Sequence, residues 1–118
     1  MSEETSQSTP KCFPVEDFSK FDIRVGSISE AKVHQKADKL LVLKVVLGEE
    51  VRQIVAGIKQ FYEPEKLVGK QIVVICNLEP RMMRGEKSEG MLLAAADGSN
   101  NLTLLTVEKP IASGSKIH

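Results

Sequence analysis

Residues 51–78, VRQIVAGIKQFYEPEKLVGKQIVVICNL, decide the fold. The segment opens on an apolar, β-branched run, Val51 to Ile58, and closes on a second one, Lys70 to Leu78, both of which read as strands. Between them, Pro64-Glu65-Lys66-Leu67-Val68-Gly69 sets proline at a helix start and glycine just past its end, which predicts a helix of about one or two turns. Toward the amino terminus, Leu40 to Leu47 is apolar at nearly every position, and Gly48-Glu49-Glu50 turns it into Val51, predicting a hairpin. Before that, Phe21, Ile23, Val25 and Ile28 alternate with Asp22, Arg24 and the pair Gly26-Ser27, predicting a first, half-buried strand with the apolar set inward. Val15 to Lys20 reads as a short helical lead-in whose Phe18 packs on the body.

Toward the carboxyl end, Met91 to Ala96 reads as a fifth buried strand. Asp97-Gly98 with Ser99, Asn100 and Asn101 is a turn that returns into Leu102 to Val107, and Ile111 to His118 is short and extended. Five main strands with one short helix between the third and fourth is the order of the all-β OB-fold barrel, an architecture that commonly binds oligonucleotides on strands two and three and their loops. A chain of 118 residues is one domain, long enough to bury a core without disulfides. We expect a disordered tail over residues 1–14, rich in Ser, Thr and Glu with two prolines, followed by the barrel domain over 15–118. No run is long enough to cross a membrane and no signal-peptide pattern opens the chain, so a cytoplasmic setting is expected.

Composition narrows the function. The 16 basic and 16 acidic residues cancel, which argues against a strongly basic nucleic-acid binder and requires any polyanion site to come from local arrangement. Lys32 to Lys44 holds four lysines, Lys32, Lys36, Lys39 and Lys44, against one acid, Asp38, and falls on the first inter-strand loop. The stretch Asn77 to Met91, NLEPRMMRGEKSEGM, is the second candidate: its Arg81, Arg84 and Lys87 are interleaved with Glu79, Glu86 and Glu89, so its charge sums to zero. Its methionines, Met82, Met83 and Met91, serve either as core filler or as adaptable contact surface. Aromatic residues are few: Phe13, Phe18, Phe21, Phe61 and Tyr62. Stacking platforms for generic single-strand binding are therefore scarce, whereas folded RNA, read by shape, phosphates and 2′-hydroxyls, does not require them.

Catalysis finds little support. His34 has no nucleophile or carboxylate pattern around it and reads as an ordinary loop histidine; His118 is terminal. Neither Cys12 nor Cys76 has a C-x-x-C partner, no phosphate-cradling motif occurs, and neither a metal nor a cofactor is expected.

The set FDIRVG (Phe21 to Gly26), HQKADKL (His34 to Leu40), RQIVAGI (Arg52 to Ile58), NLEPRMMRG (Asn77 to Gly85) and SEGMLLAA (Ser88 to Ala95) resembles the tRNA-binding domain family. That family includes the carboxyl-terminal appendage of methionyl-tRNA synthetases and free-standing, structure-specific tRNA-binding proteins. The resemblance covers about residues 15–118 and implies a non-catalytic OB-fold module that grips the outer corner of L-shaped tRNA by shape. It implies homodimers formed through a carboxyl-terminal dimerisation extension that here ends in Gly114 to Ile117, and methionyl-tRNA synthetase as a possible partner. Carried over by position, the RNA face comprises Arg24, Lys36, Lys39, Asn77, Arg84, Ser88 and Met91; Arg81 and Lys87 join it on physical grounds. Gln35 and Glu79 depart from the family, which often has proline at the first position and lysine near the second. A related branch of secretion-associated chaperones shares the fold, so an OB-fold chaperone or protein-interaction module is the alternative.

Overall fold

The computed structural model describes residues 11–118. Residues 1–10 of the expected disordered tail lie outside the described residues. After a single helical turn, α1 (Val15–Phe18), the chain forms β1 (Ile23–Val33), β2 (Leu41–Leu47) and β3 (Glu50–Ala56), then a second helical turn, α2 (Pro64–Leu67), and β4 (Gln71–Ile75). Five short strands follow: β5 (Arg81–Met83), β6 (Glu86–Ser88), β7 (Met91–Leu92), β8 (Ala94–Ala96) and β9 (Leu102–Leu104). The main sheet is antiparallel with strand order β3-β2-β1-β4-β7, while β5-β6 and β8-β9 are separate two-stranded ribbons. This is the expected all-β, OB-like architecture with its helix between the third and fourth strands.

The long β1 is the axis of the sheet. Its first half, Ile23 to Ser27, pairs with β4, and its second half, Ser27 to Val33, pairs with β2 across a register shift between Ile28 and Glu30. Such a bulge bends a strand and increases its twist, which lets one strand serve two neighbours on a curled sheet. The concave side is filled by Ile28, Leu41, Leu43, Val45, Leu47, Ile54, Leu67, Ile72 and Val74, all fully buried. The β2–β3 hairpin turns at Gly48, whose φ of 73° is the left-handed conformation that a two-residue hairpin turn favours. Ser88 Oγ accepts a hydrogen bond from Val55 N (3.0 Å), Gln53 N donates to Glu89 Oε1 (3.1 Å), and Glu89 N donates to Gln53 O (2.7 Å). These bonds draw β3, one end of the sheet order, against the segment that enters β7, the other end. The barrel thus closes largely through side chains that satisfy the amides of an edge strand, rather than through a continuous ladder.

Several expectations need correction. Phe21 is 46% exposed, because its amide completes the turn after α1 (to Phe18 O, 3.1 Å) and the β1 ladder begins only at Ile23. Phe18 is likewise largely exposed, and Gly26 is buried rather than outward: a β-carbon there would collide with Val45 and crowd Leu47. The expected fifth strand over Met91 to Ala96 breaks at Leu93. Its first part pairs with β4 and its second with β9, and Ala94–Ala96 are exposed rather than buried. The 77–91 stretch is no plain loop, since Arg81–Met83 and Glu86–Ser88 pair as a hairpin turning at Arg84 (φ 55°) and Gly85 (φ 94°).

Because Val55 N is covered and Ser88 is only 3% exposed, removing the hydroxyl strands a buried donor. Ser88→Ala should lower unfolding stability by about 1–3 kcal/mol in denaturant titration, with β3 amides near Val55 losing hydrogen-exchange protection first.

Candidate nucleic-acid interface

Two basic segments that are far apart in sequence are fastened to each other by one buried histidine. His34, 7% exposed, directly follows β1 and begins the loop to β2. Its Nδ1 accepts from Lys36 N (2.9 Å), so Nε2 carries the proton and donates to Met83 O (3.0 Å) on the β5–β6 hairpin. The lysine loop, with exposed Lys36 and Lys39, is therefore held against the hairpin that carries Arg81, Arg84 and Lys87. Sequence reading assigned His34 no task; the signal was its position immediately before the lysines, but burial on a loop cannot be read from composition.

The hairpin's zero net charge conceals a sorted layout. Glu86 Oε1 accepts from Gln53 Nε2 (3.1 Å), and Glu89 Oε1 accepts from Gln53 N; both carboxylates are half-buried against β3. Gln53 also takes Lys44 Nζ on its side-chain oxygen (3.0 Å) and donates to Lys87 O (2.9 Å). Arg81, Arg84 and Lys87 are exposed and form no ion pair among the described residues, and the same holds for Lys36 and Lys39. Two of the three acids, Glu86 and Glu89, face the barrel, while Glu79 stays exposed with the cations. Arg81, Ser88 and Met91 also line a shared groove with Leu78, Glu79, Pro80 and Gly90, a cavity of about 300 Å³. Met91, 40% exposed, forms part of its surface, while the Ser88 hydroxyl faces inward to Val55 N and Gly90 O.

Arg24 and Asn77 sit in a second cluster, organised by Asp22. Arg24 Nε donates to Asp22 Oδ1 (2.9 Å), and Lys116 Nζ approaches the same oxygen at 3.7 Å. The hydrogen bond from Arg24 holds the Asp22 carboxyl below the usual carboxylate range, opposed by partial burial and assisted by the charges of Arg24, Lys116 and Arg52. Asn77 Oδ1 accepts from Asp22 N (2.8 Å) and its Nδ2 donates to Lys20 O (2.7 Å), which anchors the start of the 77–91 stretch. Arg52 bridges the clusters, donating to Cys76 O and, at 3.3 Å, to Glu89 O. The neighbouring Cys76 thiol is raised above its ordinary range chiefly by burial. Arg52, Gln53 and Asp22 were not singled out as site residues from the sequence, although RQ opens one of the motifs that carried the resemblance.

The described chain is thus a curled antiparallel sheet of the OB-like type with exposed cations along one edge. It belongs to the tRNA-binding domain family: residues 23–116 match the family described as "Putative tRNA binding domain". The chain is 52% identical over 102 residues to a methionine–tRNA ligase of Pyrococcus horikoshii, covering 86% of this chain and 14% of the ligase. With the methionine–tRNA ligase of Methanocaldococcus jannaschii it shares 56% identity over 98 residues, covering 83% of this chain and 15% of that protein. It therefore spans less than a fifth of the length of these relatives. Among solved structures, a MetRS-related protein from Pyrococcus horikoshii superposes with a TM-score of 0.87 at 32% identity, covering 92% of this chain and 100% of that one. The chaperone CsaA from Bacillus anthracis superposes with a TM-score of 0.83 at 30% identity over the same shares. No helix among the described residues is long and apolar enough to cross a membrane.

The His34 connection predicts a separable defect. His34→Ala should raise hydrogen exchange in residues 34–40 and 81–88 and cost about 1–2 kcal/mol of stability, while the amides shared by β1, β2 and β4 keep their protection. Uniform loss of protection across the sheet would show instead that His34 supports the whole barrel.

Proposed function

We propose that this chain binds tRNA without catalysing a reaction on it, reading the outer corner of the L-shaped molecule by shape. The observation that carries the proposal is the sorting of charge: Glu86 and Glu89 are spent on Gln53 while Arg81, Arg84, Lys87, Lys36 and Lys39 stand outward on one joined surface. A rigid row of cations suits the fixed phosphate spacing of a folded RNA, and arginine forks suit phosphate oxygens. In this reading Met91 packs against ribose beside Arg81, whereas Arg24, Asn77 and Ser88 act by holding the 77–91 stretch in shape. The domain serves methionyl-tRNA synthesis either in trans or as an appendage, in keeping with the relatives that it matches.

Phosphate contacts make binding steeply dependent on salt. Arg84→Ala and Lys36→Ala should each weaken tRNA binding about fivefold and each reduce the salt slope by about one, measured by anisotropy with labelled tRNA. A single-stranded RNA of equal length should bind more weakly; equal or tighter binding would overturn the shape-reading claim.

One observation favours a second reading, a protein-binding module: Phe13, Val15, Phe18 and Phe21 expose an apolar patch beside Lys20, and a chaperone is among the structural neighbours. That reading predicts partner binding that survives both ribonuclease and high salt.

We also propose a homodimer formed through the carboxyl-terminal segment. Gln71 holds the backbone of Ile111 through both its amide and carbonyl (3.1 and 2.6 Å), leaving the Ile111 side chain 52% exposed. Ile111→Asp should shift sedimentation from dimer to monomer without unfolding the barrel. A parent chain that sediments as a monomer would remove the dimer from the account.

A further inference from the structure

Among the aromatic residues, Phe61 and Tyr62 have different fates. Tyr62 is occupied within the fold: its hydroxyl accepts from Leu104 N (3.1 Å) and contacts Thr103 Oγ1, pinning β9 to the turn after β3. Phe61 is half-buried and lines one side of an open cleft of about 520 Å³, faced by Ala95, Asn101 and Thr103 of the β8–β9 ribbon, with Gln60 and Asp97 at its polar positions. The cleft adjoins the basic edge. Lys59 N donates to Lys39 O (3.2 Å), so the turn carrying Gln60 and Phe61 is bonded directly to the lysine loop that His34 fixes to the hairpin.

The chemistry of the cleft differs from that of the edge. Ala95 and Ala96 of β8, exposed and small, line the cleft together with Phe61. Asp97 is held ionised by hydrogen bonds from the Asn101 side chain (2.9 Å) and Ser99 N (2.8 Å), and its charge disfavours a phosphate at that end. Carboxylates accept from N–H donors, a side-chain amide both donates and accepts, and an aromatic face stacks on a planar base. Exposed Lys59 directly precedes the cleft-lining Gln60, and exposed Lys39 is bonded to it through the main chain, so two cations border the cleft.

We propose that this cleft is a nucleobase site: it takes one unstacked base of a bound RNA, a guanine best of all, stacked on Phe61 with its N–H edge toward Asp97 and Gln60 and its phosphate toward Lys39 and Lys59. As a subsite for tRNA it rests on the reading above, but the base site itself is testable without tRNA. Guanine is favoured because its N1–H and N2 amino group present adjacent donors to a carboxylate, whereas uracil offers one. The aromatic that composition left without a role thereby supplies the single platform that a folded RNA with one extruded base requires.

Titration of the isotope-labelled full chain with guanosine monophosphate, uridine monophosphate or ribose 5-phosphate, followed by amide chemical shifts, tests it. The expected result is saturable shifts at Gln60, Phe61, Asn101 and Thr103, strongest with the guanosine nucleotide and absent with ribose 5-phosphate. Phe61→Leu, which keeps an apolar side chain but removes the ring face, should abolish those shifts and weaken tRNA binding about fivefold or more. Thermal unfolding of the variant confirms that it is folded. Asp97→Asn should erase the preference for guanosine over uridine. If guanosine monophosphate leaves these amides unmoved at millimolar concentration, or folded Phe61→Leu keeps the shifts, the proposal is overturned. Should the parent chain bind no tRNA while the nucleotide shifts persist, the tRNA reading fails and the base site stands.

Discussion

Closure of the barrel against β3 is the constraint on which the rest depends. An edge strand offers amides that seek partners, and here two of them are met by the Ser88 hydroxyl and the Glu89 carboxylate. With those bonds made, Gln53 is positioned to take up Glu86 and Lys44, and the hairpin of β5 and β6 is no longer a free excursion. His34 then extends the same rigidity to the loop before β2. Structure and electrostatics are consequently one arrangement: the residues that close the sheet are those that remove negative charge from the outer face.

Much of the fold was legible in the sequence because its signals are local. Gly48 marks the β2–β3 hairpin, Pro64 and Gly69 bracket the helical turn, and Gly98 with Asn100 marks the β8–β9 turn, each through backbone conformations that few other residues adopt. The break at Leu93 was not legible, since an unbroken apolar run does not show where a strand exchanges β4 for β9 as its neighbour. Phe21 misled for a related reason: alternation continues formally through a residue that belongs to the preceding turn.

The site was legible in its parts and not in its organisation. Arg81, Arg84 and Lys87 were identifiable as cations, yet summing charge along the chain gives zero because the interleaved glutamates carry equal weight in a linear count. Folding weights them unequally, sending Glu86 and Glu89 inward to β3. In the same way, Ser88 and Asn77 entered the expected RNA face through resemblance by position, and folding commits the hydrogen-bonding groups of both to the main chain of neighbouring segments. Nothing in a single sequence distinguishes a hydroxyl that meets solvent from one that completes a sheet.

The carboxyl-terminal segment carries a consequence for how the chain reaches this state. Val25 exchanges main-chain hydrogen bonds with Gly114 and Ser115, Ile117 bonds to Ile23, and Gly114 lies so close to Gly48 that a β-carbon there would come within 2.7 Å of its nitrogen. One edge of the earliest strand is therefore completed by residues made almost a whole chain length later. During synthesis on the ribosome the first half of β1 must wait with that edge unpaired, exposed to any other nascent strand, until residues 114–117 emerge. Loop closure on this scale is slow, so the final seal on the barrel is a late and chain-long event rather than a local one.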